Sequence, residues 1–99
     1  MARVIWSPRA AADLEAICEY IAHDSEYYAR LVAERIVAAV EATADFPEAG
    51  SIVPEFDDPD VRENFVHRYR IIYRMRHNTV ELVTILHGSR QLPHIGDLQ

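Results

Sequence analysis

The chain of 99 residues contains no lysine, so arginine supplies all 10 of its basic side chains. Surfaces that bind nucleic acid without sequence preference act by neutralising phosphates, and they usually mix lysine with arginine. Arginine alone suits planar, two-point contacts with a carboxylate or a phosphate. The net charge is −6 at pH 7. The composition therefore argues against a protein whose main activity is general binding to nucleic acid.

Cysteine is almost absent as well, because Cys18 is the only one. A single cysteine cannot form a disulfide within the chain. Its place on the apolar side of a predicted helix indicates a small buried side chain and not a nucleophile. No apolar run approaches the roughly 20 residues that span a bilayer, and the apolar start at Met1–Trp6 is too short for a signal peptide. We expect a cytoplasmic globular protein without a membrane partner.

Residues that would hold a metal ion or a cofactor are not arranged for that purpose. The 5 histidines show no metal-ligand spacing, and the chain has no glycine-rich phosphate-binding loop. One acidic cluster has the wrong spacing for a calcium loop, and we interpret it as a solvated surface loop: Glu55, Asp57, Asp58 and Asp60. The sequence predicts neither a metal nor a cofactor.

Charge is divided unevenly along the chain. Residues 1–61 hold four arginines against thirteen acidic residues, a net charge of −9, whereas residues 62–99 hold six arginines against three acidic residues, a net charge of +3. No linker separates the two parts. We interpret the division as two faces or layers of one domain over residues 1–93, followed by a short tail at residues 94–99.

Helical periodicity follows a short apolar strand at the start of the chain. Ser7 is placed to cap a first helix with Pro8 in its first turn, and this helix runs to about His23. Ser25 begins a second helix, which ends near Ala44. The two-residue break between helices of this length predicts an antiparallel helical hairpin. Apolar side chains at helical spacing, and the tryptophan before them, are expected in the core: Trp6, Leu14, Ile17 and Ile21.

Three strands account for the second half of the chain. Val61–Arg68 and Tyr69–Arg76 are separated by a tight turn, and His77-Asn78 forms a two-residue turn before Thr79–Leu86. The last strand is apolar on both faces, which places it inside the sheet. The predicted order is β-α-α-β-β-β. The predicted fold is α+β, with an antiparallel helical hairpin packed on one face of an antiparallel sheet and the first strand at an edge.

The strand Tyr69–Arg76 alternates between apolar and basic residues. One of its faces, with Tyr69, Ile71 and Tyr73, is predicted to pack against the helical hairpin as core. The other face carries arginines about 6–7 Å apart. We assign these to partner binding, together with one arginine near the end of the chain: Arg70, Arg74, Arg76 and Arg90.

A ladder of surface ion pairs is the alternative interpretation of these arginines, and such a ladder would contribute little to stability. For Arg70, a brace within the sheet is a further interpretation, because Glu63 on the neighbouring strand is a suitable partner.

His87 and Arg90 follow the end of the last predicted strand, where side chains of neighbouring strands converge. A histidine acid–base group beside an arginine can cleave a phosphodiester by activating a 2′-hydroxyl and stabilising the charged phosphate. The simpler interpretation is structural: His87 ends the strand with a hydrogen bond, and Arg90 caps the hairpin. We therefore assign no catalytic residue and keep His87 and Arg90 as the alternative.

Several segments of the chain together resemble the toxins of the RelE/ParE superfamily from bacterial type II toxin–antitoxin systems, and the ParE branch most closely. Each segment alone is weakly specific; their order and spacing over residues 4–93 carry the resemblance, and the family order of β-α-α-β-β-β agrees with the prediction above. The segments are Trp6-Ser7-Pro8, Asp13-Leu14 with Ile17 and Tyr20-Ile21, Phe46-Pro47-x-x-Gly50, Arg62-Glu63, Tyr69-Arg70-Ile71-Ile72-Tyr73-Arg74 and His87-Gly88-Ser89-Arg90-Gln91-Leu92-Pro93.

The resemblance implies one of two activities. ParE-type members poison DNA gyrase, and RelE-type members enter the ribosomal A site and cleave mRNA. Ribosome-dependent members resemble one another in being strongly basic, whereas this chain is acidic and has only His87 and Arg90 as remnants of catalytic groups. Entering a ribosome at this charge would forgo most of the free energy of counterion release. A gyrase inhibitor is favoured; an mRNA endonuclease is the alternative, and a degenerate member that only binds antitoxin is the second alternative.

The same resemblance implies a cognate antitoxin as partner. Its amphipathic segment would dock against the helical hairpin and the sheet, either as a helix in a groove or as an added strand. Operator DNA would be contacted only through the antitoxin. A homodimer and a hetero-oligomer with the antitoxin are both open.

Overall fold

The computed structural model describes residues 2–88. The predicted tail at residues 94–99 lies outside the described residues. No helix within the described part is long and apolar enough to cross a membrane. The elements are β1 (Arg3–Trp6), α1 (Pro8–Ala22), α2 (Glu26–Asp45), β2 (Ser51–Ile52), β3 (Val61–Val66), β4 (Tyr69–Arg76) and β5 (Thr79–His87), with one turn of 3-10 helix at Pro47–Ala49.

Both helices begin at the predicted serine caps. The Ser7 hydroxyl accepts a hydrogen bond from the backbone N–H of Ala10 at 3.0 Å and donates one to the carbonyl of Val83 at 3.0 Å. The Ser25 hydroxyl accepts from the N–H of Tyr28 at 3.0 Å. These bonds satisfy N–H groups that have no partner within the helix. The first cap also joins the start of α1 to the sheet.

The five strands form a single sheet in the order β1-β5-β4-β3-β2. The α+β class and the edge position of β1 are confirmed, but the sheet is mixed and not antiparallel. β1 pairs parallel with β5, with Arg3 opposite Thr79 and Trp6 opposite Leu82. A parallel pair needs a long crossover connection. Here the whole chain between β1 and β5 is that connection, and alternation within a strand gives no signal of its direction.

The main core lies between the helical hairpin and one face of the sheet. Its buried residues include Val32, Ile36 and Val40 of α2, together with Val80 and Leu82 of β5. Every residue assigned a structural role from the sequence lies in this core or packs against it. Ile71 and Tyr73 are buried, and the partly buried residues are Trp6, Leu14, Ile17, Ile21 and Tyr69.

A bulge interrupts the pairing of β4 with β5. Two consecutive residues of β4 pair with Thr84 and Leu82, so that Val83 is skipped. A bulge residue shifts the alternation of its strand from that point onward. As a result Leu82 and Ile85 both enter the main core, although strict alternation would place them on opposite faces. Alternation alone could not predict this arrangement of β5.

A second, smaller core lies on the opposite face of the sheet. The loop at residues 53–60 folds across that face and returns to it through a hydrogen bond from the N–H of Met75 to the carbonyl of Asp60 at 2.8 Å. The acidic side chains of this loop were predicted to be solvated, and Glu55, Asp57 and Asp60 are exposed, but two apolar residues of the same loop are buried against the sheet. The second core consists of Val53, Phe56, Val61, Ile72 and Val83.

Cys18 of α1 is half-buried. It is therefore more exposed than the sequence predicted. Desolvation by burial raises the pKa of its thiol. A raised pKa lowers the fraction of thiolate, which is the reactive form.

Candidate functional site: the arginine face of the sheet

The face of the sheet that points away from the helices carries most of the charged side chains of the strands. Alternation identifies it, because the neighbours of these residues in each strand, such as Val4, Met75 and Val80, pack toward the main core. We call it the arginine face. It comprises Arg3 and Ile5 of β1, Thr79 and Glu81 of β5, Arg70, Arg74 and Arg76 of β4, and Glu63 of β3.

Arg70 is held by two carboxylates. Its Nη1 and Nη2 donate to the two oxygens of Glu55 at 2.9 and 3.0 Å. Its Nε and Nη2 donate to the two oxygens of Glu63 at 3.1 and 2.9 Å. The side chains of Arg70 and Glu63 are only 8% and 5% exposed. The guanidinium thus connects β4 to β3 and to the loop at residues 53–60.

The two carboxylates decide what Arg70 can do. Hydrogen bonds to Glu55, and then to Glu63, raise the pKa of its guanidinium. A buried charge of this kind is stable only when it is fully paired, and Arg70 has no free edge to offer a phosphate or a partner. The predicted brace to Glu63 fits this geometry, whereas the assignment of Arg70 to partner binding does not.

Arg62 fixes the chain that leads into the same loop. Its Nε donates to the carbonyl of Pro59 at 2.9 Å. Its Nη1 donates to the carbonyls of Glu48 and Gly50 at 3.0 and 3.1 Å. One side chain thereby connects the 3-10 turn, the residue just before β2 and the end of the acidic loop.

Tyr73 and Gly50 form a close contact beneath this loop. The Tyr73 hydroxyl donates to the carbonyl of Pro47 at 2.6 Å. A Cβ on Gly50 would lie 2.3 Å from that hydroxyl oxygen and 3.0 Å from the carbonyl oxygen of Glu63. Gly50 has φ −71, so the space, and not the backbone conformation, requires glycine here.

Arg74 and Arg76 lie further along the same strand. Arg74 is partly buried, and its Nε has no hydrogen-bond partner. Arg76 is exposed at the end of β4. The structure therefore separates the three predicted arginines of β4 into a buried brace and two that face outward. The fourth, Arg90, lies outside the described residues.

His87 lies at the end of β5, on the side of the sheet that carries the helices. Its ring packs edge-on against Tyr69, with ring centroids 5.8 Å apart and planes at 81°. Nearby, Nη1 of Arg35 lies 2.7 Å from Nε2 of His67. Only one member of the alternative catalytic pair is described, because Arg90 lies outside the described residues. Within residues 2–88, no group of three His, Cys, Asp or Glu side chains is arranged to hold a metal ion.

Comparison with known proteins gives the family. Residues 4–92 match the ParE toxin of type II toxin–antitoxin systems, parDE. The chain belongs to this toxin family. It is also 36% identical over 91 residues to the toxin RelE2 of Caulobacter vibrioides, an alignment that covers 91% of this chain and 99% of that protein. The putative toxin Y4kP of Sinorhizobium fredii is 32% identical over 98 residues, with 94% and 95% of the two chains covered.

The fold agrees with a solved member of such a system. The structure titled as a chromosomal ParDE toxin–antitoxin system from P. aeruginosa superposes with a TM-score of 0.73, over 88% of this chain and 96% of that chain. At 23% identity this likeness concerns the fold. This ParE-family chain is thus a type II toxin with two helices packed on a five-stranded mixed sheet.

The segments that carried the sequence resemblance hold this toxin together. Pro47 and Gly50 contact Tyr73, Arg62 binds three carbonyls, and Arg70 binds two carboxylates. Sequence reasoning missed Glu55 as a partner of Arg70, because it lies in a loop without periodicity that offered no signal for this ion pair. It also missed Arg3, which only the parallel pairing of β1 brings onto the arginine face.

Proposed function

We propose that this toxin inhibits DNA gyrase by binding to it and is neutralised by a cognate antitoxin. The observation that carries the proposal is the pairing of Arg70. Among the arginines of β4 this is the one that is buried, and a phosphate-binding site on this strand would need its charge. Glu55 and Glu63 occupy all the donors through which it would make a two-point contact.

The charge of the whole chain supports the same proposal. A net charge of −6 without lysine is unsuited to an active site that must enter the ribosome. Binding to a protein target does not require a basic surface, because protein interfaces gain most of their free energy from buried aromatic and arginine anchors. Exposed anchors of that kind are present on the helices and at the sheet edge, at Tyr20, Tyr27, Phe46 and Phe65.

An mRNA endonuclease of the RelE type is the second candidate, and His87 is the observation that favours it. The histidine is exposed at the mouth of a groove that Arg9, Arg68 and Tyr69 also line. A histidine in such a place can act as an acid or a base. Arg90 is the proposed arginine of this alternative. A degenerate member that only binds antitoxin is the third candidate.

The test compares the two targets directly. Purified toxin is added to DNA gyrase with relaxed plasmid, and separately to ribosomes carrying a defined mRNA in the A site. We expect loss of supercoiling at toxin concentrations comparable to those of gyrase, and intact mRNA.

The variant His87→Ala separates the candidates, because it removes the one described residue that we assign to the nuclease as an acid–base group, and this residue is exposed at the end of β5. A gyrase inhibitor should retain its activity in this variant. Cleavage of mRNA in the A site that disappears in His87→Ala would replace the gyrase proposal by the endonuclease. If neither reaction responds to the toxin while it still binds antitoxin, the degenerate member is the correct candidate.

We further propose that the antitoxin docks an amphipathic segment against the helical hairpin and sheet. Operator DNA would then meet the toxin only through the antitoxin. Co-purification with the product of an adjacent small reading frame, followed by measurement of the mass of the complex, tests this partner and the stoichiometry.

A further inference from the structure

Three arginines from two non-adjacent strands meet at one corner of the arginine face. Arg76 of β4 lies opposite Thr79 of β5, and Thr79 lies opposite Arg3 of β1. Two residues further along each strand, on the same face, Arg74 lies opposite Glu81, and Glu81 lies opposite Ile5. Strand spacing then puts Arg74 and Arg76 about 6–7 Å apart, and Arg76 and Arg3 about 10 Å apart. We call Arg3, Ile5, Arg74, Arg76 and Glu81 the basic corner.

The arginines of the basic corner have no partners within the described residues. The side chains of Arg3, Arg74 and Arg76 make no hydrogen bond or ion pair with the described residues, although Glu81 lies directly across from Arg74. Arg70 differs from them, because it lies four residues before Arg74 on the same face of the strand and is paired with two carboxylates. Three positive charges against one negative charge leave a net charge of +2 at this corner, on a chain of net charge −6.

Among the three arginines, Arg74 shows the missing partner most clearly. Its Nε is buried and donates to no group. Buried donors in folded proteins almost always have a partner, and a buried donor without one destabilises the fold by about 1–3 kcal/mol. The stem of Arg74 lies beside Val61 at the border of the second core. A ligand that accepts a hydrogen bond from this Nε would remove the cost of the unpaired donor.

The corner also offers an apolar contact. Ile5 is 41% exposed, and it lies next to Glu81 on the same face. A ligand that carried charge alone would leave this side chain in water. A peptide that alternates acidic and apolar residues would cover it.

We infer that the basic corner binds an acidic, extended segment of the antitoxin, with two carboxylates against the arginines and an apolar side chain against Ile5. The inference rests on the antitoxin part of the proposed function, and it names the surface and the chemistry of the segment. Alternate residues of an extended peptide lie about 6–7 Å apart, which is the spacing of Arg74 and Arg76. Arginine suits carboxylates because its planar donors form two parallel hydrogen bonds.

A peptide fits this surface better than a nucleic acid does. A phosphate backbone extends far beyond the corner and would meet the acidic remainder of a chain whose net charge is −6. A short acidic segment interacts with the corner alone, because repulsion from more distant charges is screened beyond about 8–10 Å at physiological salt.

The test uses a labelled synthetic peptide of about ten residues in which glutamate alternates with leucine, and full-length toxin. We expect binding that weakens as salt rises and that falls about tenfold in each of Arg74→Glu and Arg76→Glu, and to a similar extent in Arg3→Glu. The control is Arg30→Glu, an exposed arginine of α2 with the same change of charge. Thermal unfolding of each variant shows whether it has folded.

Two results would overturn the inference. If Arg30→Glu weakens binding as much as Arg74→Glu does, net charge and not the corner is responsible. If a single-stranded oligonucleotide of equal charge binds the corner as tightly as the peptide and shows the same dependence on the three arginines, the surface is a nucleic-acid site. A peptide with glutamine in place of glutamate should not bind.

The gyrase assay of the same variants keeps the two proposals apart. Arg74→Glu and Arg76→Glu are expected to inhibit gyrase but to require about tenfold more antitoxin, or more, for neutralisation. If the toxin without any substitution does not inhibit gyrase, the proposed target is wrong, and the result of the peptide experiment is unaffected. Unchanged neutralisation by antitoxin in all three variants would refute the inference even if gyrase is the target.

Discussion

Arg70 has two acidic partners and Glu63 is only 5% exposed, so removing the arginine leaves a buried carboxylate without a counter-charge. We expect Arg70→Met, which keeps most of the apolar stem, to lower the free energy of unfolding by about 3 kcal/mol. Urea unfolding measures the effect. Arg76→Met is the matched control, because Arg76 lies on the same face of the same strand but is exposed; it should change stability by less than about 0.5 kcal/mol.

A second variant identifies the cause. Adding Glu63→Gln to Arg70→Met removes the unpaired charge, and it should recover part of the lost stability. If the double variant is less stable than Arg70→Met, the loss comes from packing and not from the buried carboxylate.

The Tyr73 hydroxyl leaves no space for a side chain at Gly50. Because a Cβ there would lie 2.3 Å from the Tyr73 hydroxyl oxygen, we expect Gly50→Ala to destabilise the toxin by about 1–3 kcal/mol. Tyr73→Phe alone should cost about 1 kcal/mol for the lost hydrogen bond to Pro47.

The double variant that combines Gly50→Ala with Tyr73→Phe has no hydroxyl at position 73, so the new Cβ overlaps with fewer atoms. The two changes should therefore destabilise less together than the sum of their separate effects. Additive effects in a double-mutant cycle would show that the clash with the Glu63 carbonyl, and not the hydroxyl, dominates.

Most of the helices and strands followed from periodicity and capping residues. Ser7, Ser25 and the alternation of Tyr69–Arg76 were sufficient to locate both helices and β4, because these signals depend on neighbours in sequence. β2 was not predicted, since two residues carry no period. The bulge at Val83 and the parallel direction of β1 depend on contacts between distant segments, and no local pattern encodes them.

Only part of the candidate site could be predicted from local sequence patterns of this kind. The strand arginines were visible, but the loop residue Glu55 decides which of them is free for a ligand. It binds Arg70 from fifteen residues away, and an acidic residue in a loop looks the same in a sequence whether it is free in solvent or paired with a buried arginine.

The stability of the whole molecule should fall in alkaline solution. Burial is the main cause that raises the pKa of Tyr73 and of Tyr69 above the ordinary value. Below about pH 10, the tyrosines are neutral in both the folded and the unfolded chain. As the pH rises further, the unfolded chain ionises first and is thereby stabilised relative to the folded chain.

The expected result is a free energy of unfolding that decreases from about pH 10 upward, measured by urea unfolding at a series of pH values. Tyr73→Phe is the control, and its stability should depend less steeply on pH in this range. An equal slope in Tyr73→Phe would assign the effect to other groups.

The parallel pairing of β1 with β5 has a consequence for how the toxin is made. Arg3 pairs with Thr79, so the first strand cannot take its place until the last strand has left the ribosome. Contacts between such distant parts of a chain slow folding, because the intervening segment must be closed into a loop first. During synthesis the apolar side of the helical hairpin therefore has no completed sheet to cover it. The toxin therefore completes its sheet only when its last strand is in place, and any partner that binds across β1 and β5 has no finished surface to bind before that moment.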